Sequence, residues 1–229
     1  VTLTLTRTHW VSIAAVVLAL LFAGAATVAS AGGDGHSGGH GGTAGAAAAP
    51  AAGSADAGFA RDMAVHHQQA VEMSFIVRDR TQDEEVRRLA YDIANTQANQ
   101  RGMLLGWLDL WGLPKVESGA EPMAWMAHGD GGHATHGAQR PGTGAVMPGM
   151  ATRAELDRLA KASGKQAEVL FLQLMTDHHK GGVAMAEGCA DLCTVSKEKA
   201  LAQGMVDAQQ SEIDLMADLL RKRGAAPRA

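Results

Sequence analysis

One pattern occurs twice in this chain. "DMAVHHQQAVEM" at 62–73 and "LMTDHHKGGVAM" at 174–185 both place a Met three residues before a His-His pair and another Met six residues after it. Sliding the sequence by 112 positions pairs Phe59 with Phe171, Met63 with Met175, His66-His67 with His178-His179, Ala70 with Gly182 and Met73 with Met185. One additional residue in the following turn then pairs Ile93 with Val206, Gln97 with Gln210 and Met103 with Met216. So many matches in register identify an internal duplication. Within the first copy Phe59, Met63, His66, Ala70, Met73 and Val77 recur at three- and four-residue steps, the spacing of one helix face. The repeat therefore predicts an all-α chain. Two repeated αα-hairpins should assemble as an antiparallel four-helix bundle, with the His-His helices facing one another across the core.

The hairpins can be placed along the 229 residues. The first helix opens at Ser54 or Asp56 as N-cap and ends near Arg80; the second restarts with Thr81 as cap and acids in its first turn, and stops at Gly112 and Pro114. Its seam is expected to run through Leu89, Ile93, Thr96, Gln100, Met103, Leu104, Trp107 and Trp111. A short helix from Thr152 to Ser163, a longer one over 165–188 and a last one from about Val195 to Arg223 complete a bundle domain at 56–224. Between the repeats, 113–150 breaks the pattern with Gly and Pro and carries a Met/His cluster in an extended loop. The composition agrees with helices: Ala-rich, with one Tyr and four Phe. Net charge is −4 and no basic stripe is present, which excludes nucleic acid as a partner class.

The N-terminal 31 residues hold one Arg, an apolar run from Val11 to about Val28, and Ala29-Ser30-Ala31, the small-x-small pattern of a secretory signal; the alternative is an uncleaved membrane anchor. Either places the folded part outside the cytoplasm. Residues 32–55 are a Gly/Ala-rich flexible linker with two histidines, His36 and His40, able to collect metal weakly. Cys189 and Cys193, four apart, admit two readings in such a compartment: a disulfide staple at a helix end, or a thiolate pair for metal.

Eleven Met and ten His cluster rather than scatter. Thioethers beside imidazoles suit Cu(I), with Cu(II) able to use the imidazoles, whereas Zn prefers thiolate, imidazole or carboxylate and Ca or Mg need oxygen cages. The predicted ligands are His66, His67, His178 and His179 with Met63, Met73, Met175 and Met185, extended by Met103 and Met216. Ala70 and Gly182 leave space one turn beyond the histidines. A second cluster, Met123, Met126, His128, His133, His136, Met147 and Met150, is a candidate for capturing copper on a mobile loop. Asp62 is either an acceptor orienting His66 or an ordinary exposed helix acid. A di-iron carboxylate enzyme is disfavoured, because Glu72, Glu168, Glu187 and Glu212 all lack a His three residues on. Binding without turnover is the favoured role; a copper or mixed-metal oxidoreductase, and a metal-free interaction bundle in which Met and His merely pack, are the alternatives.

"FARDMAVHHQQAVEM", "MPGM" at 147–150, "ELDRLAKASGKQAEVLFLQLMTDHHKGGVAMAE" and the Ile/Val-x3-Gln-x5-Met pattern together resemble the secreted bacterial proteins of domain-of-unknown-function family 305. The resemblance covers about 56–111 and 147–222. It implies a ferritin-like helical bundle exported from the cytoplasm, with copper binding and tolerance as its role. The family tends to carry Glu-Ile two residues after the second-helix Gln; Glu212-Ile213 fits, whereas the first repeat has Asn99-Gln100. Cys189 and Cys193 lie outside the family pattern and could add a ligand pair.

Overall fold

A computed structural model describes residues 48–128 and 147–228. The segments expected to be a signal and most of a linker, with His36 and His40, and the expected loop ligands His133 and His136 lie outside the described residues. Five α-helices and no strand occur among them: α1 Ala55–Arg78, α2 Glu84–Leu110, α3 Arg153–Lys161, α4 Gly164–Leu192 and α5 Ser196–Lys222, with a 3-10 turn at Ala124–His128. The four long helices are the bundle, and α1 and α4 form its centre, with α2 packed on α1 and α5 on α4. None of the described helices is long and apolar enough to cross a membrane.

Local chemistry sets the helix ends. Ser54 accepts a hydrogen bond from the Ala57 N–H at 3.2 Å and starts α1. Thr152 and Glu155 form a reciprocal capping box on α3. Thr81 does not cap α2: Asp83 does, accepting from Val86 N–H at 2.9 Å, while Thr81 is buried and donates to Glu168 at 2.5 Å. An acid outcompetes a β-branched hydroxyl for that turn, which frees Thr81 to satisfy a buried carboxylate from another helix. Likewise α5 has no side-chain cap of its own; Asp56 of α1 reaches across to accept from Thr194 and Val195 N–H at 2.8 and 2.7 Å.

The core has two apolar clusters. One joins the C-terminal half of α1 to α3 and the N-terminal half of α4 (Met73, Val77, Phe171, Met175), together with Met216 of α5. The other joins the opposite halves (Phe59, Met63, Met185, Cys189) with Met205 and Met147. Helices α1 and α4 are thus antiparallel, and the His-His pairs sit between the clusters.

The register of the two hairpins differs from the sequence reading. Buried residues pair at 112 throughout: Ala90 with Ala202, Ile93 with Met205, Gln97 with Gln209, Leu104 with Met216 and Leu108 with Leu220. The turn gains no extra residue. Gln210 is exposed, Met103 is 48% exposed and matches the exposed Leu215, and Thr96 faces solvent. The seam of α2 follows Leu104 and Leu108, because a one-residue slip turns a helix by about 100° and moves a side chain off the buried stripe.

Candidate metal centre

His66, His67, His178 and His179 are all fully buried. Because α1 and α4 cross at the same position of each repeat, the rings of His66 and His178 lie face to face, centroids 3.8 Å apart and tilted by 32°. The second histidine of each pair turns the other way, toward the hairpin partner. His67 Nε2 meets Gln100 Oε1 of α2 at 2.9 Å, and His179 Nε2 meets Glu212 Oε2 of α5 at 2.6 Å. His178 Nε2 bonds the His66 carbonyl at 3.0 Å, and His66 Nε2 bonds the Pro148 carbonyl at 3.1 Å.

Three of these bonds define where the proton lies. The Pro148 and His66 carbonyls and the Glu212 carboxylate only accept, so Nε2 of His66, His178 and His179 carries a proton and donates, and in the neutral rings of His66 and His178 Nδ1 is left with a free lone pair. All four Nδ1 atoms are buried without a hydrogen-bond partner. Burial pushes the His66 imidazole down to about 4 and, with the neighbouring His66 charge adding to it, His67 down to about 3. His178 is held well below its ordinary value for the same reason. A neutral imidazole with one nitrogen anchored and the other bare is the form that ligates metal. Orphaned buried nitrogens are costly, so four in one layer call for an explanation.

The flanking thioethers follow the two clusters. Met63, Met73, Met175 and Met185 are fully buried, Met63 and Met185 on one side of the histidine layer, Met73 and Met175 on the other. Met216 is buried with the latter pair and receives a 3.8 Å contact from the Thr176 hydroxyl. Met103 is on the surface and leaves the ligand set. Gly182 leaves no space, since the Gln209 amide fills the place of its missing Cβ. Gln97 is buried with both amide atoms unpartnered, as is Gln209 Oε1.

Four histidines do not make one nitrogen cage. Among the described residues the one group of three His, Cys, Asp or Glu ligand atoms within 4.8 Å of each other is Cys189, Cys193 and Glu198. The rings of His66 and His178 meet, whereas those of His67 and His179 turn toward Gln100 and Glu212.

The inter-repeat loop is partly built into the bundle. Gln69 grips Ala151 in both directions, accepting from its N–H at 2.7 Å and donating to its carbonyl at 2.9 Å. That lays "MPGM" on α4, where Gly149 (φ +74°) meets Asp177 and Gly181 meets Pro148, both too close for a Cβ. Met147 is 1% exposed, and Met123, Met126 and Met150 pack partly buried against the same cluster. Met147 is a core residue and the other three pack on the core, which departs from the mobile-loop expectation for them; His128 closes the 3-10 turn. Asp62 neither orients His66 nor faces solvent: it accepts from Met123 N–H at 2.8 Å and from Trp125 Nε1 at 3.0 Å, and burial raises its carboxyl. Gln69, Gln97, Gln100 and the Pro148 carbonyl carried no ligand-type signal in the sequence. The shared 112 spacing of Gln100 and Glu212 was the one clue available.

A family model described as "Domain of unknown function (DUF305)" matches residues 56–220. Among solved structures, a DUF305 protein of Streptomyces coelicolor, inferred to be secreted, is 64% identical with a TM-score of 0.69, covering 78% of this chain and 99% of its own. A DUF305 fragment from Deinococcus radiodurans is 30% identical, with a TM-score of 0.58 and coverage of 73% and 96%. CopM in its Cu(I)-bound form is 20% identical, with a TM-score of 0.53 and coverage of 73% and 96%, a likeness of fold. No functionally curated protein matches the chain.

Proposed function

The chain belongs to the DUF305 family, and on that premise we propose that it is an extracytoplasmic copper-binding protein that sequesters or hands on the ion without turnover. The observation that carries this is the layer of four buried imidazoles, each with Nε2 held by an oxygen and Nδ1 unpartnered. His66 and His178, with the thioethers Met63, Met73, Met175 and Met185, are the proposed donors; His67 and His179 flank them. Cu(I) is the ion of choice, since it accepts soft sulfur and imidazole and is content with few ligands, whereas Cu(II) would call on more of the nitrogens. CopM, a distant structural relative, has been solved with Cu(I), Cu(II) and silver, which supports the direction of this reading. The small-x-small pattern at 29–31 and the inferred secretion of the Streptomyces relative support export.

A competitive Cu(I) titration of the full chain tests the site. Replacing His66 and His178 together by Ala should weaken binding by more than about tenfold, the least that even a ligand's hydrogen-bond partner is worth. Unchanged affinity in a folded double variant would remove them from the site. A metal-free packed layer is the rival reading, favoured by the hydrogen bond that every Nε2 already makes. Under it, copper would leave the melting temperature where it was.

A further inference from the structure

The duplication exposes a second site, at the opposite end of α4 from its start and independent of the histidine layer. At 112 spacing, Cys189, Cys193 and Glu198 stand where the first repeat has Val77, Thr81 and Val86. Val77 and Val86 are fully buried, as the interior of a bundle requires, and so is Glu198 at 0% exposure. A carboxyl has therefore been put into a core position that its twin fills with an isopropyl group. At the first repeat's end the buried acid Glu168 is matched by Arg223 at 2.7 Å. The counterpart of Arg223 at the other end is Trp111, and the buried Glu198 carboxyl has the Asp56 carboxylate as its polar neighbour. Burial, reinforced by Asp56, pushes Glu198 up to about 9.

Beside Asp56, what this carboxyl faces is sulfur. Cys189 and Cys193 are joined as a disulfide across Cα atoms 4.8 Å apart, 0% and 3% exposed, and one ligand atom from each cysteine and from Glu198 lies within 4.8 Å of the others. We propose that Cys189, Cys193 and Glu198 form a redox-gated metal site: closed while the disulfide stands and, once a dithiol reductant opens it, a dithiolate-carboxylate site for a thiophilic divalent cation of the zinc class. The electron balance is a thiol-disulfide exchange: the dithiol closes to its own disulfide and passes two electrons and two protons to the two cysteine sulfurs. The cation then displaces three protons, from both thiols and the Glu198 carboxyl, and forms two metal-sulfur bonds and one metal-oxygen bond. Two thiolates and a carboxylate are a donor set that zinc-class ions take readily, and a fourth position stays open. The first turn of α5, which carries Glu198, contributes its positive end to the anionic ligands. Cys193 is the C-cap of α4, so the site sits at a helix junction, where a ligand-induced shift needs only the end of a helix to move.

The test uses the full chain and Cd2+ as the probe. A thiolate-Cd2+ bond absorbs in the near ultraviolet, and imidazoles and thioethers do not give that band. The chain treated with a phosphine reductant, with two free thiols counted by labelling, should bind one Cd2+ with this absorption. The oxidised chain and the Cys189→Ser variant should show none. Glu198→Gln should keep the band and weaken binding by about tenfold or more. A band in the oxidised chain, a band surviving Cys189→Ser, or unaltered affinity in Glu198→Gln would overturn the proposal. So would a reduced chain that stays helical and shows no band, or one that loses its helical signal and does not regain it with Cd2+.

Discussion

His66 and His67 show how one pair of identical residues receives two jobs. The first faces its symmetry mate, the second its hairpin partner, because adjacent helix positions point about 100° apart. Their depressed basicity makes acid a probe. An unfolded His takes a proton near 6.5, whereas His66 and His67 in the fold resist until about 4 and 3. Between those values the unfolded chain binds more protons, so stability is full above 6.5 and falls as pH drops toward 4. His66 alone contributes on the order of 3 kcal/mol to that loss. Thermal unfolding of the metal-free chain from pH 7.5 to 4.5 should show a steep fall in Tm; a flat profile would mean that the imidazoles are not buried neutral. A second prediction concerns the two halves. His179 bonds a carboxylate and His67 an amide, and neither ring is among the proposed donors. Glu212→Gln and Gln100→Glu should each leave Cu(I) affinity, measured by competition, within about twofold of the parent, and a loss of about tenfold or more, the size of effect a partner of a ligating histidine has, would move His179 or His67 into the ligand set.

Among the elements, "MPGM" was visible as a family mark but not as a structural wedge. Its backbone supplies the acceptor for His66, and Gln69 and Gly181 hold it in place. Gly181→Ala puts a methyl group against the Pro148 carbonyl. The expected cost is about 2 kcal/mol, read by urea unfolding. A neutral result would show that the segment is free to shift. The slip in α2 has a similar lesson. Met103 and Met216 shared a residue type and so were paired, yet burial follows the stripe, and Leu104 is the true mate of Met216. Identity of side chains misled where the phase of the helix did not.

For the whole molecule, the two ends of the bundle are built differently from one duplicated plan. One end is locked by charge: Arg223 bridges Glu168 at 2.7 Å and Asp83 at 2.9 Å, tying the end of α5 to α4 and to the start of α2. Arg223→Ala strands a buried carboxylate and should cost about 3–5 kcal/mol, seen as a lower urea midpoint with unchanged slope; a loss below about 1 kcal/mol, the scale of a surface pair, would reduce it to one. The other end is locked by the disulfide of Cys189 and Cys193. The all-helical fold, the bundle and the place of one histidine of each pair on the buried stripe followed from the sequence alone, since an apolar stripe at helical spacing has few ways to leave water. Which imidazole nitrogen is bare, which histidines meet, that Gln100 answers Glu212, and that Glu198 lies against two sulfurs were decided only in three dimensions. Those contacts join helices far apart in the chain, and their partners are carbonyls and amides, groups whose residue type carries no mark of what they will touch.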